Sequence, residues 1–180
     1  MQSDIKRKFE EIYSEESDAI FRFCLTRVSN REQALDLAQE TFLRLWTSLM
    51  EKKDILNNKA FLFTVARRLI IDWYRKKKSV SLENIMYKDG EMEYEPMDEK
   101  TAKDSNFGAE GRYLVDKINE LPPTARDPIY LSFVEGLSPK EIGDILGISA
   151  NATSVRINRG LSELRKITGY DIKENKNETE

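Results

Sequence analysis

A chain of 180 residues, 39% hydrophobic and 34% charged, suits one ordinary domain or two small ones with modest cores. Its single cysteine excludes an intramolecular disulfide, and the lack of any histidine removes the usual zinc sites, so neither a metal nor another cofactor is expected. No apolar run reaches the roughly 18 residues of a membrane span, and the charged opening MQSDIKRKFEEIYSEESD has no secretory core, which leads us to expect a cytoplasmic protein without membrane insertion. The net charge of −3 is unevenly spread. Residues 64–78 carry Arg67, Arg68, Arg75, Lys76, Lys77 and Lys78 against Asp72 alone, whereas residues 79–111 set nine acidic side chains against Lys88, Lys100 and Lys103.

From the amino terminus onward the apolar residues repeat with a helical period. Phe9, Ile12 and Tyr13 lead into Ile20, Phe21, Phe23 and Cys24. Cys24 sits in the apolar stretch AIFRFCLTRV, the setting of a buried structural thiol and not of a reactive one. Ala34, Leu37, Ala38, Thr41, Phe42, Leu45 and Trp46 form a second stripe. A third starts at Phe61, Phe63 and Val65 and continues through Leu69, Ile70 and Trp73. Turn-like segments at 28–31 and 52–59 separate the three. Residues 1–78 are therefore predicted to form an all-helical domain.

Residues 79–111 change character: acidic, with Gly90, Pro96 and Gly108 and no sustained period. Such a composition buries too little apolar surface to offset its ordering entropy, and a flexible linker with at most a helical turn near Leu82 and Met86 is expected. Helical periodicity returns at residues 112–119 and stops at Leu121-Pro122-Pro123. Thr124 is the expected cap of the next helix, with Pro128 in its first turn and Gly136 at its end. A second domain spans 112–170, followed by a polar tail at 171–180.

Within that domain, residues 136–165 read GLSPKEIGDILGISANATSVRINRGLSELR. Ser138, Pro139 and Glu141 make a capping box, Gly143 leaves room for a crossing helix, Gly147 supplies a tight turn and Ser149 caps a second helix. Thr153, Ile157, Leu161 and Leu164 fall on one stripe of that helix. This is the pattern of a helix-turn-helix. Its outer face would carry Asn151, Ser154, Arg156, Asn158 and Arg159, side chains that hydrogen-bond base edges and phosphates in a major groove. The same pattern also fits a plain helical hairpin with a solvated face. A second nucleic-acid candidate is the basic, aromatic stretch 66–78: lysine and arginine suit phosphates, and an aromatic neighbour suits an unpaired base. A basic helix end also answers the helix dipole without any ligand.

Taken together, these segments resemble sigma factors of the extracytoplasmic-function group, over nearly the whole chain. ALDLAQETFLRLW at 34–46 is similar to that family's core-polymerase-binding helix, and FLFTVARRLIIDWYR at 61–75 to its promoter-melting, minus-ten-reading helix. Leu121-Pro122-Pro123, FVEGLSPKEI at 133–142 and the helix-turn-helix resemble its minus-thirty-five domain. The resemblance implies an all-α chain of two small helical domains joined by a flexible acidic tether, with no catalytic centre. On it, Asp36, Gln39, Glu40, Leu43 and Arg44 would dock on the clamp of the largest polymerase subunit. Asn57, Asn58, Lys59, Phe61, Phe63, Arg67, Arg68, Arg75 and Lys76 would engage the minus-ten element, with Phe61 and Phe63 equally suited to the core, and Asn151, Ser154, Arg156, Asn158 and Arg159 the minus-thirty-five element. RNA polymerase core, promoter DNA and an anti-sigma protein are the implied partners, and no small-molecule substrate is implied. Arg68 stands where the family often has Asn, and Asn151 and Thr153 where Gly and Val are common, so base preferences do not carry over.

Two other readings compete with this one. A helix-turn-helix regulator that never joins polymerase accounts for the second domain but leaves the 36–44 face and the 67–78 segment unused. An enzyme acting on nucleic acid or nucleotides has no histidine base, no phosphate loop and no metal-ligand cluster to work with.

Overall fold

The computed structural model describes residues 2–80 and 108–169, all helix and short turns with no strand among the described residues. Three long helices make the amino-terminal domain: α1 (Gln2–Val28), α2 (Arg31–Met50) and α3 (Asn58–Val80). Four shorter ones make the second: α4 (Ala109–Asn119), α5 (Pro123–Phe133), α6 (Pro139–Leu146) and α7 (Ala150–Thr168). Helix α3 thus runs two residues beyond the predicted domain end, and α4 starts before the predicted linker end. The helical turn expected near Leu82, most of the linker and the tail lie outside the described residues.

Local chemistry sets the breaks. Asn30 caps α2 by accepting from the Gln33 amide at 3.0 Å, and Ser29 before it takes a positive φ. Asn57 does the same for α3, accepting from Ala60 N at 2.9 Å. Along α2 the buried positions Ala34, Leu37, Ala38, Thr41, Phe42 and Leu45 follow the predicted stripe, and the buried Thr41 hydroxyl is satisfied by the Leu37 carbonyl at 2.7 Å. Trp46, predicted to share that stripe, is only half-buried: its ring lies at the bundle edge, edge-on to Phe9 at 5.3 Å.

The core of the first domain is aromatic at both ends. Phe9 and Tyr13 of α1 meet Phe42 of α2 at one end, and Phe23 of α1 meets Phe63 of α3 in a T-shaped pair at 5.0 Å at the other. Phe63 is fully buried in that pair, which corrects its sequence assignment as a minus-ten contact: it offers no surface to a base. Phe61 is half-buried against the same core. Cys24 is fully buried and its thiol is pushed up to about 12 by burial, in keeping with the structural role expected of it.

In the second domain α5 starts at Pro123, with Pro122 at the cap position, and not after Thr124. Pro123 needs no amide partner in the first turn, so the helix starts two residues earlier than a Thr124 cap would set it. Pro128 is consequently inside the helix, buried, and the helix ends at Phe133, short of Gly136. Gly136 (φ 69°) and Gly147 (φ 71°) take left-handed conformations that favour glycine. The capping box of α6 is formed: Ser138 accepts from Glu141 N, and the Glu141 carboxylate accepts from Ser138 N at 2.8 Å. At the turn of the motif, a Cβ on Gly143 would stand 2.7 Å from the Ile148 carbonyl oxygen, so the crossing predicted there does require a bare backbone. Gly160 plays the same part between α7 and α5, where a Cβ would meet Ile129 at 2.7 Å and Ala125 at 3.0 Å.

The two domains are in contact. Helix α6 lies against α3, and Phe23 of α1 faces Tyr130 of α5 with ring centroids 5.8 Å apart.

Two substitutions test this packing. Phe63→Ala should cost about 3–5 kcal/mol in urea unfolding; a variant of unchanged stability would return Phe63 to the surface-contact set. Gly143→Ala should cost about 1–2 kcal/mol, since the clash with backbone outweighs the helix-propensity gain of alanine.

Candidate polymerase and nucleic-acid interfaces

Helix α2 buries one stripe and presents the other. Asp36, Gln39, Leu43 and Arg44 are exposed and Glu40 is half-exposed, so the five polymerase-binding candidates share one outer face, with Gln39 at its edge beside α1. Arg44 donates to Glu40 at 2.9 Å, one turn back. That pair is solvent-exposed and contributes only a few tenths of a kcal/mol, roughly 0.3–0.5, to the helix. What the sequence reading missed is the apolar content around this face. Leu35 and Tyr13 are exposed beside it and line, with Gln39 and Phe42, a cleft between α1 and α2. Leu43 is 57% exposed, which is unusual for an aliphatic side chain in the middle of a long helix. Leu35 lies one position off the buried stripe, and that offset was the available signal.

The minus-ten candidates divide into three groups. Arg68, Arg75 and Lys76 are exposed on α3, Arg75 lying 3.6 Å from Asp72. Near them Lys77 sits over the Trp73 ring at 5.2 Å, and the Trp73 indole donates to Gln33 at 2.8 Å, which holds the ring half-buried against α2. Phe63 is core, as described above. Asn57, Lys59 and Arg67 form the third group, and each faces the second domain. The Asn57 amide donates to Glu141 at 2.6 Å, the Lys59 ammonium to the Glu135 carbonyl at 2.8 Å, and Arg67 Nε to Asp127 at 3.3 Å. Asn58 is half-buried and borders Glu11, Ile12 and Glu15 of α1 instead. Leu56, in the loop before α3, is 93% exposed. It is the last apolar side chain before the helix, and the sequence reading passed over it.

Around that contact lies a buried ionic cluster that no local pattern announces. Arg27, on α1, donates from Nε and Nη2 to one oxygen of Asp127, at 3.2 and 2.8 Å, while the other oxygen accepts from Arg67. Arg27 also donates to the Phe23 carbonyl and the Thr26 hydroxyl, and its guanidinium lies over the rings of Phe23 at 3.6 Å and Tyr130 at 4.5 Å. The Tyr74 hydroxyl donates to the Arg27 carbonyl. Beside the cluster, burial raises the Glu135 carboxyl above its ordinary range, against the pull of Lys59. Hydrogen bonds from Ser138 and Asn57 lower that of Glu141. The only sequence signs were an arginine inside an apolar run and an aspartate flanked by buried residues.

The minus-thirty-five candidates lie on α7. Asn151, Asn158 and Arg159 are exposed, and Ser154 and Arg156 half-exposed, opposite the buried Thr153, Ile157 and Gly160. The Ser154 hydroxyl donates to the Ala150 carbonyl at 3.0 Å, which leaves its lone pairs to accept. Ser149 caps the helix by accepting from Ala152 N at 3.1 Å, so the amino-terminal turn is fixed where a recognition helix meets bases.

Family comparison agrees with this layout. The model of Sigma-70 region 2 matches residues 12–80, and that of Sigma-70, region 4, matches residues 111–164. The ECF RNA polymerase sigma factor SigW of Bacillus subtilis is 33% identical over 165 residues, covering 88% of this chain and 87% of SigW. CarQ, an RNA polymerase sigma factor of Myxococcus xanthus, is 30% identical and covered to 89% on both sides. The ECF sigma factor SigE of Mycolicibacterium smegmatis is 29% identical over 87% of this chain, which spans 60% of that longer relative. In fold, the chain is similar to the sigma factor RpoE solved with the anti-sigma factor NepR from Bartonella quintana, with a TM-score of 0.68 at 20% identity over 92% of this chain and 99% of that one. With region 2 on α1 to α3, region 4 on α4 to α7, and relatives of this closeness along most of its length, the chain belongs to the sigma-70 family, in its extracytoplasmic-function group.

Proposed function

We propose that this chain joins RNA polymerase core through the outer face of α2 and delivers it to promoters, reading the minus-thirty-five element with α7 and the minus-ten element with the start of α3, without catalysis of its own. One observation carries the reading: a single chain pairs an exposed, mixed polar and apolar helix face, Asp36 to Arg44, with a capped helix-turn-helix whose outer side carries amides and guanidiniums. A regulator that never touched polymerase would have no use for the first of these. Work on this template would take place in the cytoplasm. Among the described residues no helix is long and apolar enough to cross a membrane.

Each set of residues has a distinct task in this reading. Leu43 and the neighbouring Leu35 supply desolvated apolar contact on the polymerase clamp, and Asp36, Gln39, Glu40 and Arg44 set register around them. Asn57, Asn58, Lys59, Phe61 and Arg67 border the minus-ten base pocket, with Leu56 as an apolar wedge. Arg68, Arg75 and Lys76 hold backbone phosphates along α3. On α7, Asn151 and Ser154 stand at the amino end and read bases, while Arg156, Asn158 and Arg159 grip phosphates and adjoining edges. An anti-sigma protein is a further partner in this proposal, in line with the relatives RpoE and CnrH, each solved bound to a protein partner. The direct test is transcription of genomic fragments by core polymerase with and without this chain: promoter-specific transcripts that depend on it are expected.

Reversing charge at Asp36 and Glu40 together should weaken core binding at least tenfold, about 1.4 kcal/mol, with far-UV dichroism unchanged. Full affinity in a competition assay would remove the α2 face from the interface. Arg159→Ala should weaken holoenzyme binding across all minus-thirty-five sequences and flatten its salt dependence by roughly one phosphate contact. Asn151→Ala should instead change which bases are preferred. The check is binding to a promoter library randomised at that element, at several salt concentrations; a changed base preference with an unchanged salt slope for Arg159→Ala would reverse the assignment.

A further inference from the structure

Helix α7 carries five larger apolar side chains: Val155, Ile157, Leu161, Leu164 and Ile167. Four of them belong to the hydrophobic core or pack against it, while Val155, 40% exposed, stands outside it. At about 100° per residue, Val155 lies about 200° round the helix from the fully buried Thr153. Ile157 and Gly160 are buried on the Thr153 side, and Gly160 seats against α5, so the rotation of α7 about its own axis is fixed. Val155 is thereby held at the middle of the outer face. Asn151 stands one turn before it and Asn158 and Arg159 one turn after, all exposed. We infer that Val155 is a base reader at the centre of this face, and that it recognises the 5-methyl group of a thymine in the minus-thirty-five element. The inference rests on the reading of α7 as the helix that enters the duplex.

The chemistry of the groove selects this ligand. Phosphates and base edges offer charge, donors and acceptors, and a branched aliphatic side chain answers none of them. The methyl of thymine is the apolar group that ordinary base pairs present in the major groove. A valine set against a donor or an acceptor would strip water from it and return no hydrogen bond. The contact that favours thymine therefore also penalises the other bases. The neighbouring side chains point to the same base pair. Amides such as those of Asn151 and Asn158 suit the N6 and N7 edge of adenine, whose partner is thymine. The Ser154 hydroxyl, by contrast, is turned back onto the Ala150 carbonyl at 3.0 Å. A β-branched residue on an exposed helix face also forms helix less readily than alanine, and Val155 has no place in the core to offset that cost.

Holoenzyme binding to duplexes selected from a promoter library randomised at the minus-thirty-five element tests this. Each thymine of the preferred element, on either strand, is replaced in turn by deoxyuridine, which removes the methyl and keeps the pairing and the O4 acceptor. At one thymine the exchange should weaken binding about fourfold, the weight of one buried methyl. Val155→Ala should bind the thymine and deoxyuridine duplexes equally. Its melting temperature should be no lower than that of the unsubstituted chain, because alanine is the better helix former and no core contact is lost. A lower one would make Val155 a packing residue and overturn the inference. So would indifference of the unsubstituted holoenzyme to every methyl, a preferred element with no thymine on either strand, or a methyl preference that survived in Val155→Ala. Each of these leaves α7 as the minus-thirty-five reader. A library that yields no preferred sequence would instead remove that reading, and this inference with it.

Discussion

The ionic cluster of Arg27, Asp127 and Arg67 is the constraint on which the arrangement of the two domains depends. A guanidinium almost wholly removed from water requires an acceptor, and within its own domain Arg27 donates to neutral ones, the Phe23 carbonyl and the Thr26 hydroxyl. The negative charge comes from α5, and so the amino-terminal domain is electrostatically completed by the carboxy-terminal one. Around the cluster the Phe23 and Tyr130 rings exclude water, which strengthens the ion pair and raises the cost of leaving either partner alone.

The first-domain side of the seam has a matching chemistry. Residues that bind the minus-ten element must be cationic or amide-bearing and only lightly committed to their own domain. Such residues are equally good sites for an acidic surface of the same chain. Asn57 shows the economy: its side-chain oxygen caps α3 while its amide donates to Glu141, and Glu141 is at once the capping-box residue of α6. Helix ends that had to be capped in any case therefore also set the seam between domains.

What could be read from the sequence followed the range of the interaction. Caps, turns and stripes are local, so the helix-turn-helix with Ser138, Glu141, Gly143, Gly147 and Ser149 was legible residue by residue, and so was the outer face of α2. The misreadings were local competitions decided by context. Pro123 and Thr124 both suit a helix start, and Pro123 took it. Phe61 and Phe63 sit on adjoining parts of α3, and only the position of Phe23 decides that Phe63 is core. The Arg27–Asp127 pair spans 100 residues of chain, and nothing at either position reveals its partner. Gly160 was missed for the same reason, since its value lies in a neighbour, α5, that periodicity cannot see.

The close seat of α7 on α5 at Gly160 has a mechanical corollary. With backbone nearly touching Ala125 and Ile129, the recognition helix has no slack with respect to the helix that carries Asp127. The two helices pack as one unit, so the position of α7 follows that of α5. A side chain as small as a hydrogen atom thus sets how closely α7 can seat on α5.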